Sequence, residues 1–218
     1  MPISHKHRAI FVHIPKNAGS SIEKALGIWG QNNDGAITPY CPEMLFGVYR
    51  GKAMQHLTMA EIKELGPIGS NGYFSFAFVQ NPYSRAVSEY KWRLKEGYKF
   101  TFEAFVKRYY PIRKRFLASK KDKLFADHLT PQFHYTHRKE SLYKAYIYQI
   151  VDYVGKLETF EADFKHIATR IGIDPICPHV NKSETTDWRA YYTKPTQKLI
   201  YEAYKQDFET FKYKYETL

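Results

Sequence analysis

The segment His13-Ile-Pro-Lys-Asn-Ala-Gly-Ser-Ser21 gathers a lysine, an amide, a glycine and two hydroxyls between an apolar run and a helical one. Such a set suits an anion. Where a strand turns into a helix, the first backbone N–H groups have no intrahelical acceptor and point at whatever negative charge lies before them. Gly19 lets the main chain come close to that charge, Ser20 and Ser21 can cap the helix and donate to phosphate oxygens, and Lys16 adds a mobile cation. The spacing differs from the Walker A loop, in which the lysine directly precedes a Ser or Thr after a second glycine. Residue types alone also fit an ordinary strand-to-helix turn with a serine N-cap, so both readings stand.

A second segment, Val79-Gln-Asn-Pro-Tyr-Ser-Arg-Ala-Val-Ser-Glu-Tyr90, repeats the geometry: a strand end, a proline at the helix start, polar side chains on the first turns. Arg85 and Ser88 are spaced to share a helix face. By itself, the segment also fits a capped amphipathic helix with a surface arginine. Among the nine histidines, His128, His134 and His137 raise the question of a metal, but no carboxylate or cysteine pattern accompanies them, and no metal is expected. His13, inside a strand, is suited to standing beside the first loop, and His56 lies in Gln-His-Leu-Thr just ahead of a helix.

The elements that must position these residues are legible as hydrophobic runs. Residues 9–14 and 73–79 are short and mostly apolar, and proline closes each, as in buried strands of a parallel sheet. Residues 150–157 read as a third strand. Helices are expected through residue 26, from the capping box Thr58-Met-Ala-Glu61 to Gly66-Pro67, over 83–94, over 159–171 and over 198–211. In the fourth of these, Phe160, Phe164, Ile167, Ala168 and Ile171 fall on one face. Residues 27–50 look irregular, and 101–150 are basic and aromatic with helical character. Strands alternating with helices predict an α/β fold, with a central, mostly parallel sheet flanked by helices in one domain over 1–218.

Composition sets outer bounds. A chain of 218 residues buries roughly 70% of its unfolded surface and needs no disulfide or metal to fold. With 44% hydrophobic and 25% charged residues it is not a disordered chain. Lysine and arginine number 33 against 22 acidic residues, and the resulting +11 favours anionic partners. Cys41 and Cys177 are too few and too distant for a disulfide framework or zinc site, and are expected to be structural thiols. No signal peptide and no run near the ~18 apolar residues of a membrane span is visible, so a soluble, cytoplasmic protein is expected.

Together the two segments resemble the 5′-phosphosulfate loop and 3′-phosphate motif of sulfotransferases that use 3′-phosphoadenosine 5′-phosphosulfate (PAPS), which read HIPKTAGTS and VRNPxxRxxSxY. The similarity is to the carbohydrate enzymes of the heparan 2-O-sulfotransferase and chondroitin/HNK-1 type, including small bacterial members. It continues in Asp152-Tyr-Val-Gly-Lys-Leu-Glu158, Phe160-Glu-Ala-Asp-Phe164, His179-Val-Asn-Lys-Ser183, Tyr191-Tyr192 and Tyr204-Lys-Gln-Asp-Phe208, in order along nearly the whole chain. The resemblance implies a P-loop NTPase-like three-layer fold and PAPS as co-substrate, with no metal. It implies that Lys16, Asn17, Ala18, Gly19, Ser20 and Ser21 hold the 5′-phosphosulfate, Ser88 contacts the 3′-phosphate, and Lys182 and Ser183 belong to a loop closing over the nucleotide. It assigns His56 as the base and Lys16 as the stabiliser of the leaving group. Asn17 replaces the family's threonine. Gln80 replaces the arginine that pairs with the 3′-phosphate; either Arg85 or Lys182 compensates, or the donor preference is altered or activity is low.

The acceptor implied is a hydroxyl, on a glycan or another anionic substrate. The basic, aromatic stretch from Lys91 to Arg115 is a candidate groove for it. Nucleic acid is not expected as a partner. Two other readings remain: a kinase-like phosphotransferase, since the first loop is a phosphate site, and a non-catalytic polyanion binder, suggested by +11 and Gln80.

Overall fold

Three parallel strands form the centre of the main sheet. In the computed structural model, which describes residues 3–27, 48–49, 52–53, 56–65, 71–112, 123–140, 146–178 and 187–215, these are β2 (Ala9–Val12), β5 (Phe74–Val79) and β8 (Tyr153–Lys156). A short strand β1 (Ile3–Ser4) adds antiparallel to β2, giving the order β1-β2-β5-β8. Every residue of β2 is buried, as are Phe76 to Val79 of β5. Since successive side chains point to opposite faces, both faces of these strands are covered, which is why the runs are apolar throughout instead of alternating.

By its internal contacts the chain divides into two units, Met1–Val79 with His134–Lys182, and Gln80–Phe133 with Ser183–Leu218. The first contains the main sheet, with α1 (Gly19–Ala25), α2 (Met59–Leu65) and α7 (Phe160–Ile171). Ala9, Phe11, Phe76 and Phe78 of the sheet pack with Ile22 and Leu26 and with Phe164, Ile167, Ala168 and Ile171 of α7. Gly155 lies opposite Phe78, and a Cβ there would come within 2.7 Å of the ring, so the glycine makes room for an aromatic in the neighbouring strand. Asp152 fastens β8 to β5: its carboxylate accepts from Ser75 N (2.7 Å) and Ser75 Oγ (2.6 Å). Two small antiparallel pairs complete the unit, β3 (Val48–Tyr49) with β4 (Lys52–Ala53), and β6 (His137–Glu140) with β7 (Tyr146–Gln149).

The second unit is helical. It contains α3 (Pro82–Lys95), α4 (Phe102–Tyr109), α5 (Lys123–Leu129) and α8 (Lys194–Thr210) around a largely aromatic core that includes Tyr83, Tyr90, Phe102, Phe105, Tyr110, Tyr192, Tyr204 and Phe208. The four-residue helix α6 (Phe133–Thr136) begins at its last residue before the chain returns to the first unit. Two buried tyrosine hydroxyls find backbone acceptors, Tyr192 on Tyr83 O (2.9 Å) and Tyr204 on Leu129 O (3.2 Å).

The observed α/β fold, a mostly parallel central sheet flanked by helices, is the one the sequence predicts. Local differences are instructive. The stretch 101–150, expected to be helical, ends in the β6–β7 hairpin, because pairing with a partner, which no local pattern encodes, decides the state of His137–Glu140. The closing helix begins at Lys194, four residues before the expected 198. Thr193 and Thr196 form a reciprocal capping box there, and Pro195 occupies the first turn. The third strand is narrower than 150–157, and most of the region 27–50, with Cys41, lies outside the described residues. Cys177 is a half-buried free thiol whose burial pushes its pKa up to about 11. Among the described residues no helix is long and apolar enough to cross a membrane.

Candidate functional site

In a parallel sheet all carboxyl ends lie along one edge. The register Val12↔Ala77 and Val79↔Lys156 places the loop after β2 on that edge, where open α/β sheets bind their ligands. The loop runs His13 to Ala18 and feeds directly into α1. Lys16 (φ 71°) and Ala18 (φ 58°) are both in the left-handed region, as is His56 (φ 59°); among the described residues only Arg8 and Lys212 are other non-glycine examples. Each such residue costs roughly 1–2 kcal/mol relative to ordinary backbone. Clustering of such cost at one place points to a site the fold maintains for use.

Asn17 is buried, and its Nδ2 donates to Phe78 O (2.8 Å), tying the loop's centre to β5. The expected serine cap is absent. Ala18 is the N-cap of α1 and gives no side-chain hydrogen bond, while Ser20 and Ser21 fall inside the first turn, with Ser21 N donating to Ala18 O (3.0 Å). No acidic residue occupies that turn. The reason for Gly19 also differs from the expectation that an anion must come close. A Cβ there would lie 1.9 Å from His13 Nε2, so the glycine exists to admit the His13 ring. Its backbone is not in the left-handed region.

His13 is held from the other side. Its Nδ1 donates to Glu23 Oε1 (2.6 Å), and Glu23 is a 2% exposed carboxylate on α1, one turn beyond Gly19. Nothing in the motifs singles out Glu23. The available signal is an acidic residue immediately beside Ile22, on a short helix whose start must pack against the sheet. His56, buried just ahead of α2, donates from Nδ1 to His13 O (3.2 Å), and the two imidazoles meet edge to face at 4.7 Å. A carbonyl can only accept, so in the neutral imidazole this contact places the proton on Nδ1 and makes Nε2 the basic nitrogen. The helix behind His56 starts at the predicted capping box: Glu61 Oε2 accepts from Thr58 N (2.8 Å) and Thr58 Oγ1 accepts from Glu61 N (3.2 Å).

Thus the structure brings Lys16, Asn17, Ala18, Gly19, Ser20, Ser21 and His56 together in the first unit, whereas Gln80 and Ser88 belong to the second. Lys182 and Ser183 lie outside the described residues. Gln80 is buried, and its backbone is paired on both sides with the Gln132 amide: Gln80 N donates to Gln132 Oε1 (3.0 Å) and Gln132 Nε2 donates to Gln80 O (2.8 Å). Asn81 caps α3 by accepting from Tyr83 N (2.9 Å), and Ser88 is half-buried on the same helix.

Arg85 is neither a surface arginine nor a substitute ligand for an anion. It is 2% exposed, its guanidinium donates to Thr130 O (2.8 Å) and His128 O (3.2 Å), and it lies over the Tyr204 ring. It therefore supports the turn after α5. The basic stretch after Lys91 is divided as well. Arg93 is buried and bonded to Glu89 (2.7 Å), Lys91 lies over Tyr191, and Lys107 pairs with exposed Glu103, while residues 113–115 lie outside the described residues. Burial pushes the Glu89 carboxyl up, but His128 (2.6 Å) and Arg93 outweigh it and hold it below the usual carboxylate range. His128 is thus committed to Glu89, and His137 to Thr136 Oγ1 (2.8 Å).

Among the described residues, two later segments of the resemblance contain carboxylates that fasten the fold. Asp163 accepts from Tyr153 Oη (2.6 Å), Lys156 N (2.8 Å) and Thr159 Oγ1 (2.6 Å), fixing the turn from β8 into α7. Burial and that bond push Tyr153 up to about 12. Asp207 of α8 accepts from Gln132 N (2.8 Å) and Phe133 N (2.9 Å). A model of the sulfotransferase family matches residues 1–214. No curated protein and no solved structure matches the chain.

Proposed function

The chain belongs to the sulfotransferase family, an enzyme family that uses PAPS, and from that premise we propose that it moves a sulfuryl group onto a carbohydrate hydroxyl. The co-substrate supplies the sulfuryl group and departs as adenosine 3′,5′-bisphosphate. The S–O bond to the acceptor forms as the S–O bond to the 5′-phosphate breaks. His56 takes the hydroxyl proton on Nε2 as attack proceeds, a task suited to an imidazole at neutral pH. Lys16 and the N–H groups around Ala18, Gly19 and Ser20 stabilise the negative charge that grows on the leaving phosphate oxygen. Asn17 holds this loop to β5, and Ser21 closes the first turn of α1. Ser88 contacts the 3′-phosphate, with Gln80 giving neutral hydrogen bonds where the family has a cation, and Lys182 and Ser183 belong to a loop that closes over the nucleotide, within one domain over 1–218.

The observation that supports this reading best is the joining of a buried histidine to the anion loop: His56 Nδ1 donates to the carbonyl of His13, whose ring is seated on Gly19. Calorimetry with adenosine 3′,5′-bisphosphate, AMP and ATP, without and with magnesium, tests it. Magnesium-independent binding that prefers the 3′-phosphate is expected, and His56→Ala should keep that affinity while turnover falls by about 100-fold or more. Preference for ATP with magnesium would replace this reading with a kinase-like one.

A further inference from the structure

His13 and Glu23 have no part in the proposed proton and sulfuryl transfers, yet both are built into the centre of the site. A carboxylate that is 2% exposed on a seven-residue helix is costly unless it has a strong partner, and its partner is the His13 imidazole at 2.6 Å. The same ring fills the space that a Cβ on Gly19 would need, and it stacks on Phe11 with centroids 5.6 Å apart. On its remaining side it meets His56 edge to face, and its own backbone carbonyl receives the His56 proton. One side chain thus connects the carboxylate of α1, the first residue of α1 and the proposed base.

Resting on the proposed sulfotransferase function, the geometry points to Glu23 as a positioning residue for sulfuryl transfer. By holding the His13 ring through Nδ1, Glu23 fixes the loop that carries Lys16 and sets His56 in the Nδ1–H tautomer, with Nε2 ready to accept the acceptor's proton. Without the carboxylate, the His13 ring loses its only charged anchor among the described residues and can turn about its side-chain bonds. The ring contact with His56 would turn with it, and the loop that presents the His13 carbonyl to His56 would lose the support of the seated ring. The role is indirect, since Glu23 touches neither the transferred group nor the hydroxyl in this assignment.

The test uses the full chain with ¹⁵N-labelled histidine, comparing wild type with Glu23→Ala and Glu23→Gln. In wild type the imidazole ¹⁵N shifts of His56 should report a single Nδ1–H tautomer. In Glu23→Ala they should move to a mixture, and Glu23→Gln, whose amide oxygen still accepts, should lie between. The sulfuryl-transfer arm follows hydrolysis of PAPS, with water as the acceptor. Its rate should fall by about 10- to 100-fold in Glu23→Ala, with partial recovery in Glu23→Gln, while affinity for adenosine 3′,5′-bisphosphate changes less than about threefold. Unchanged His56 shifts in Glu23→Ala would overturn the positioning role, as would equal loss of rate and nucleotide affinity in both variants. Wild type that binds no bisphosphate would instead remove the sulfotransferase function, and the tautomer measurement would still decide whether Glu23 orients His56.

Discussion

At the scale of single residues, the structure changes why several side chains of the loop are what they are. By its sequence context Gly19 is a residue that admits an anion; in the fold it admits an imidazole. The distinction has a measurable consequence. In Gly19→Ala the new Cβ would meet His13 Nε2 at 1.9 Å, and the ring cannot recede without leaving Glu23 or pressing on His56. Overpacking of this kind costs ~1–3 kcal/mol. Thermal unfolding should show that loss, and crystallography or imidazole NMR should show His13 displaced. A variant as stable as wild type, with His13 unmoved, would mean that the ring does not require a glycine at this position. Lys16, Ser20 and Ser21 are legible as a set because anion loops need those donor types near a helix start. Glu23 is not, because a buried carboxylate acquires meaning only through a partner ten residues earlier that the fold turns back onto it.

At the scale of elements, the Tyr204–Phe208 segment of the resemblance contains a fastening of the helical unit. Asp207 belongs to α8, yet its carboxylate accepts the amides of Gln132 and Phe133, and Gln132 in turn pairs with both backbone groups of Gln80. That chain of bonds fixes the residue just after β5 from an element about 130 positions later in sequence. Burial pushes the Asp207 carboxyl up to about 6 from its ordinary 3.8, with the two amides and Arg85 pulling the other way. Its folded value lies above its unfolded one, so the folded chain holds the proton more readily. The stability this contributes is complete below about pH 4 and is lost as pH rises through about 6, a change on the order of 3 kcal/mol. Asp207→Asn cannot titrate, and it also turns an NH₂ toward a buried amide donor, costing about 1–3 kcal/mol. The melting temperature of wild type should therefore exceed that of the variant most at low pH, the gap narrowing between pH 4 and 7. A gap independent of pH would show that Asp207 titrates alike in the folded and unfolded chains, and a gap that widened with pH would show its pKa lowered by folding. Propensity could identify α8 as a helix, since its apolar face repeats at helical spacing. It could not identify Asp207 as a clamp, because an aspartate late in an amphipathic helix most often faces water.

At the scale of the whole molecule, what the sequence disclosed and what it withheld divide along one line. Runs whose meaning is local were readable: the apolar strands β2 and β5, the Thr58–Glu61 capping box, the one-faced helix α7. Features that depend on a distant partner were not: the β6–β7 hairpin, the burial of Arg85 over the Tyr204 ring, the His13–Glu23 pair. Net charge is the one property that needs no partner to be read, and +11 bears on which anions the protein meets. A surface carrying that excess attracts any polyanion, and such binding weakens linearly in the logarithm of salt concentration through counterion release. The loop proposed to hold the 5′-phosphosulfate would be a different kind of site, with Lys16 set on a left-handed backbone. Lys16→Ala should then lower affinity for adenosine 3′,5′-bisphosphate by about 10- to 100-fold, the usual worth of a charge-assisted bond. Retention on immobilised heparin, and its salt dependence, should stay as in wild type, since one charge of 33 basic residues is removed. Calorimetry and salt elution on the same two proteins separate the cases. If both properties fell together, nucleotide and polyanion would share one surface, and the protein would be better understood as a binder of polyanions than as a sulfuryl transferase.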